Sequence, residues 1–133
     1  NGPARLLLIA PAPDFTTLLV EPSLTAAQRD ALERTGEVDV ADPDGGGGAR
    51  YSRAFLEDGR ANRVIDQPFD AHCPVRILQG ADDRVVPVSH ALAVAAAFPA
   101  DDLTMTLVPG GDHRLSRPDD LRLIVAAVEA LSG

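Results

Sequence analysis

The sequence predicts an α/β fold built on a parallel sheet, and three observations carry that expectation. First, RLLLIA (5–10) is a short, continuously apolar run, which suits a strand buried on both faces, as in a parallel sheet. PVRILQG (74–80) reads as a second buried strand and LTMTLV (103–108) as a third. Second, helix signals follow the last two runs, with Pro87 at a first-turn position and a Ser116/Asp119 capping pattern. Third, strand, helix, strand and helix then alternate through the C-terminal part, the order that right-handed βαβ crossovers require.

The remaining elements follow along the chain. Thr25 and Gln28 form a capping-box pair, so a helix is expected over 26–35 with Gly36 behind it. DPDGGGGAR (42–50) reads as a flexible loop, because a glycine run favours no compact state. YSRAFLEDG (51–59) reads as a short helix stopped at Gly59. A helix from Pro87 to about Phe98 follows the second strand. After the third, Leu121, Ile124, Val125, Val128 and Leu131 recur at helical spacing and define one expected apolar face. The sequence has no internal repeat. Residues 14–70 form a long excursion between the first two strands, expected as an insertion resembling a lid. Residues 71–133 hold the strand–helix–strand–helix part.

Composition narrows the function classes. At 133 residues the chain has the size of one domain, enough to bury roughly two thirds of its unfolded surface. Hydrophobic residues make up 45%, which fits a globular core rather than a disordered tail. A net charge of −8 argues against nucleic acid or an anionic membrane as partner. No stretch approaches the ~20 apolar residues of a membrane span. Arg supplies every basic residue, a coding bias with no functional content. Cys73 is the single cysteine, read as a small apolar residue just before a strand. One thiol makes no internal disulfide, which points to a reducing compartment, the cytoplasm. The opening NGPARLLLIAPAPDF has no initiator Met and no charged segment ahead of an apolar one, and reads as a chain entered part-way through a domain.

Chemistry in open parallel sheets collects at the carboxyl ends of strands. Two such loops are loaded here. GADDRVVP (80–87) carries Asp82 and Asp83, and PGGDHRLS (109–116) carries Asp112 and His113. Adjacent parallel strands would bring an Asp and a His to one rim. A buried carboxylate that accepts the imidazole N–H fixes the tautomer and supports the imidazolium, as a general base requires. Asp82, Asp83, His90, Asp112 and His113 could also be read as a metal cluster, but no His-x-x-x-His or comparable ligand spacing supports it. No cofactor is expected. A turn or cap role remains open for either acid. Arg114 reads as structural, and His72 and His90 as ordinary surface or helix histidines. Phe15, Phe55 and Phe69 read as lid and core packing.

Asp before His, each after its own strand, is the tail of the Ser…Asp…His order of α/β-hydrolases. PVRILQGADDRVVP resembles that family's penultimate core strand and acid loop, which makes Asp83 the triad acid, ahead of Asp82. GGDHRLS resembles its final loop and makes His113 the general base. LLLIAPAPDFT resembles the strand after the nucleophile helix. Together with PDDL, these stretches resemble a branch of bacterial serine hydrolases related to the mitochondrial palmitoyl-protein thioesterase, which is also an acyl-glucuronide esterase. The likeness is strong over 6–16, 73–87 and 103–121 and poor around the glycine run.

The resemblance implies a C-terminal half of an α/β-hydrolase fold: three parallel strands, flanking helices and a lid-like insertion. It implies an ester or acyl-thioester substrate. The family's nucleophile turn, G-x-S-x-G, should precede the strand at 5–10, and none of Ser23, Ser52, Ser89, Ser116 or Ser132 sits in such a motif. Ser116 reads as an N-cap and Ser89 as a first-turn helix residue. The nucleophile and the oxyanion amides are therefore expected upstream of residue 1. The alternative is an inactive hydrolase-like fragment or partner-binding module, whose first strand exposes an apolar edge to the missing half or to another chain. A doubly wound regulatory domain fits poorly, because only Asp14 follows the first strand.

Overall fold

A computed structural model describes residues 4–67, 71–98 and 102–132. The chain divides into two compact units, residues 1–12 with 65–133, and residues 13–64.

The first unit is a three-stranded parallel sheet in the order β1-β4-β5. Its strands are β1 (Leu6–Ile9), β4 (Val75–Gly80) and β5 (Leu103–Val108). Leu6 pairs with Val75, Val75 with Leu103, and Gly80 with Val108, so β4 and β5 end side by side. Alternation divides the strand side chains between two faces. On one face Val75 and Ile77 pack with Leu6, Leu8, Met105 and Phe98, which closes α4 (Val88–Ala97). On the other, Leu78, Val108 and Leu115 pack with Leu7, Leu123, Ile124 and Ala127, the last three from α5 (Pro118–Ser132). The central strand is buried, with Val75 and Ile77 wholly enclosed.

Several expectations are corrected in this unit. β1 is not buried on both faces: it is an edge strand, half-buried, with Ile9 exposed. α5 turns Leu123, Ile124 and Ala127 to the core while Leu121, Val125 and Val128 stay exposed. So many of its residues are apolar that spacing alone could not choose the face. Ser116 is not its N-cap. Pro118 occupies the first helical position, Arg117 is the cap, and the Asp120 carboxylate accepts the Arg117 backbone N–H at 3.1 Å. Cys73 is half-buried against the Val75–Ile77 cluster. His90 lies in a helix, α4, and is buried there.

The second unit holds a π-helical turn (Thr16–Val20), α1 (Glu21–Ser23), α2 (Ala26–Thr35), β2 (Glu37–Val40), β3 (Ala49–Ser52) and α3 (Arg53–Ala61). α2 carries the full reciprocal capping box between Thr25 and Gln28. β2 and β3 form an antiparallel hairpin, Glu37 opposite Ser52 and Val40 opposite Ala49. The sequence reading missed it, taking 42–50 as loop and 51–59 as helix. α3 instead starts after Ser52, whose hydroxyl caps the Phe55 N–H, and runs through Gly59 to Ala61. Gly59 marks a close approach rather than a stop, since a Cβ there would lie 2.1 Å from Thr16 Oγ1. Val20, Leu24, Val38 and Leu56 form the core, flanked by the aromatic group Phe15, Tyr51 and Phe55. The Asp14 carboxylate accepts the Val64 N–H, tying the two ends of this unit together. Phe69, expected in packing, lies outside the described residues.

Candidate active site

The paired ends of β4 and β5 release two loops from one rim, residues 81–87 and 109–117. Their backbones interlock. The Asp82 N–H donates to Gly111 O at 2.9 Å, and the Ala81 N–H donates to Val108 O at 2.9 Å. Such contact needs glycine at the end of β4 and leaves little room at Gly111. A Cβ on Gly80 would lie 2.4 Å from Gly111 O and 2.5 Å from Asp112 O. A Cβ on Gly111 would lie 3.1 Å from the Gly80 Cα. Gly80 in LQG and Gly111 in PGGDH are thus one feature, two segments of the chain brought into backbone contact.

That contact sets Asp83 against His113. The Asp83 side chain is fully buried and its Oδ2 lies 3.0 Å from His113 Nδ1. The His113 side chain remains 35% exposed. Four donors converge on the carboxylate. Oδ1 accepts the backbone N–H groups of Val85 and Val86 at 2.9 and 2.8 Å. Oδ2 accepts the Gln79 side-chain amide at 3.1 Å and the imidazole at 3.0 Å. A carboxylate surrounded only by donors is an acceptor at every position, so the proton of a neutral imidazole sits on Nδ1. Nε2 then carries the lone pair.

The histidine loop is shaped from behind. Asp112 Oδ1 accepts the backbone N–H groups of Arg114 and Leu115 at 3.1 and 3.0 Å, an Asx turn around His113. Leu115 is buried in the core and pins the loop's far side. Arg117 reaches from the helix start to donate to Pro109 O at 3.1 Å, while its guanidinium pairs with buried Asp120 at 2.8 Å. That side-chain hydrogen bond from Arg117 holds the Asp120 carboxyl below the ordinary carboxylate range. Neither residue was singled out from sequence. The Arg-Pro-Asp-Asp run that opens the last helix carried the signal.

The structure thus brings Asp83 and His113 together. Asp82 is exposed, its backbone rather than its carboxylate engaged with the histidine loop. Asp112 serves its own turn, and Arg114 is exposed. Among the described residues, no group of three or more His, Cys, Asp or Glu is placed to hold a metal ion. None of the helices among the described residues is long and apolar enough to cross a membrane.

No protein-family model matches the chain. Over 82 residues it is 29% identical to the mitochondrial palmitoyl-protein thioesterase ABHD10 of Mus musculus, an alignment covering 62% of this chain and 28% of that protein. Among solved structures, a presumptive hydrolase from Agrobacterium vitis S4 superposes with a TM-score of 0.89 at 45% identity, over 96% of this chain and 49% of the other. Mouse alpha/beta hydrolase domain-containing protein 10 superposes with a TM-score of 0.79 at 27% identity, over 96% of this chain and 51% of the other. The chain therefore spans about half the length of these solved relatives. Sheet order, the two loops at one rim and these superpositions agree: the chain has the α/β-hydrolase fold over about half the length of its solved relatives.

Proposed function

We propose that this chain supplies the acid and the histidine of a serine hydrolase acting on carboxylic esters or acyl thioesters. The observation that carries the reading is the 3.0 Å contact between His113 Nδ1 and the buried Asp83 carboxylate at the carboxyl ends of adjacent parallel strands. Relatives named as a palmitoyl-protein thioesterase and a presumptive hydrolase support the reaction class.

In this reading a serine on a G-x-S-x-G turn, in a segment preceding Asn1, attacks the acyl carbonyl. His113 Nε2 takes the hydroxyl proton as the Oγ–C bond forms, and Asp83 steadies the resulting imidazolium. The tetrahedral adduct collapses, the bond to the alcohol or thiol breaks, and His113 protonates the leaving group. Water then attacks the acyl-serine, giving up its proton to His113. The carboxylic acid departs as the proton returns to serine. The oxyanion amides belong to that same preceding segment. Residues 14–70 take the part of a lid that shapes substrate choice. The lone cysteine accords with a reducing, cytoplasmic setting.

A non-enzymatic reading, a hydrolase-like module that binds a partner, has one observation in its favour. Among the described residues β1 pairs only with β4, and Ile9, Leu107, Leu121, Val125 and Val128 are exposed. An apolar edge and helix face of this kind seat another polypeptide. The enzymatic reading fills that seat with the preceding half of its own fold. The discriminating experiment is hydrolysis of a chromogenic acyl ester by the protein together with its preceding segment. Loss of hydrolysis in His113→Ala, with the fold retained, is the expected result. Unchanged hydrolysis, or a preceding segment without G-x-S-x-G, overturns the proposal.

A further inference from the structure

Gln79 is the one polar side chain among the buried residues of β4, and it is completely enclosed. By strand alternation it shares the face of Val75 and Ile77, the face that packs with α4. Its amide nitrogen faces three acceptors: Val86 O at 2.9 Å, Asp83 Oδ2 at 3.1 Å and Gly80 O at 3.2 Å. Its Oε1 is buried and finds no hydrogen-bond partner among the described residues. These surroundings settle which way the amide points, because the reverse orientation would set its oxygen against three others.

A buried, unpartnered oxygen is destabilising, and a Leu or Met at this position would carry none. The amide's stability contribution therefore does not explain its presence in the strand. The donor it delivers does. The backbone N–H groups of Val85 and Val86 secure only Oδ1 of Asp83. Held by that oxygen alone, the carboxylate could still turn, and Oδ2 would lose its direction. Gln79 secures Oδ2 at the oxygen that meets His113, and through Val86 O it also fastens the loop that carries Asp83.

We propose that Gln79 is a positioning residue for the Asp83–His113 pair, fixing the rotation of the carboxylate and through it the imidazole. Its consequence for turnover rests on the hydrolase reading above, whereas its effect on the pair does not. Two variants test it. Gln79→Met keeps the volume and removes the donor. Gln79→Leu removes the donor together with the amide oxygen.

The readouts are the low-field Nδ1 proton signal of His113 by nuclear magnetic resonance, recorded below each variant's melting midpoint, and kcat and KM for ester hydrolysis with the preceding segment present. In Gln79→Met the signal should broaden, and kcat should fall about 10- to 100-fold at unchanged KM, the loss expected for one hydrogen bond to a charged group. Gln79→Leu should lose as much of both, whatever its melting temperature. A purely structural role would instead rank the variants by melting temperature. Either variant folded, with a wild-type Nδ1 proton signal and wild-type kcat, overturns the proposal. Hydrolysis that survives His113→Ala would sink the hydrolase reading separately, and the proton signal would still decide whether Gln79 positions the pair.

Discussion

Alanine at position 80 probes the contact on which the candidate site is built. The added Cβ would lie 2.4 Å from Gly111 O and 2.5 Å from Asp112 O, where ordinary contact begins near 3.4 Å. The shortfall is therefore about 1 Å on each, and both obstacles are backbone, which no side-chain rotation relieves. Gly80 is paired with Val108 of β5 and Gly111 is anchored by its N–H to Val108 O, so the loops must part. The Asp82 N–H bond to Gly111 O would be the first to stretch, followed by the Asp83–His113 contact. Overpacking of this severity costs about 3 kcal/mol, which lowers the melting midpoint of a domain this size by about 10 °C. A misplacement of about 1 Å between catalytic groups corresponds to roughly 100-fold in turnover. Thermal melting by circular dichroism gives the first quantity and ester hydrolysis with the preceding segment present gives the second. Gly80→Ala with a wild-type melting midpoint and wild-type turnover would refute the close-approach argument.

Other consequences follow from the same packing. Arg117→Ala leaves the buried Asp120 without its ion pair, and the destabilisation should depend on pH. Because Arg117 holds the Asp120 carboxyl below its ordinary value in the fold, the pair stabilises above the unfolded carboxylate range and stops doing so as pH falls through the folded value. The gap in melting temperature between wild type and Arg117→Ala should thus be widest at neutral pH and close in acid; a gap independent of pH would contradict the assignment. In the second unit, Gly59→Ala should destabilise by about 1–3 kcal/mol through its clash with Thr16 Oγ1. Adding Thr16→Ala should recover part of that loss, and denaturant titration of the two single variants and the double variant measures the coupling.

Much of the first unit was legible because its signals are local. β1, β4 and β5 are short, mostly apolar runs closed by Gly or Pro. The acid and histidine loops follow from strand ends, so their meeting needed only parallel neighbours. The β2–β3 hairpin was missed because EVDV and ARYS alternate charge with apolar residues on a half-exposed ribbon, and the glycine run between them drew attention as a loop. α5 was found, but its buried face was misjudged. With Leu121, Leu123, Ile124, Val125, Ala127 and Val128 all apolar, tertiary packing alone selects the inward stripe. Gln79 escaped for a different reason. Its role depends on a side chain reaching four residues ahead to Asp83, and the one available hint was an amide inside ILQG, where an aliphatic residue would be the default.

The central claim is that Asp83, and not its neighbour Asp82, acts with His113. Kinetics of Asp83→Asn and Asp82→Asn in the protein with its preceding segment test it most directly. Asparagine at 83 removes the charge beside the imidazole and can offer an N–H where Nδ1 needs an acceptor, so kcat should fall by about 10³- to 10⁴-fold with little change in KM. Asparagine at 82 touches an exposed side chain whose backbone does the holding, and kcat should stay at the wild-type value. Equal losses in the two variants, or a greater loss at 82, would contradict the account.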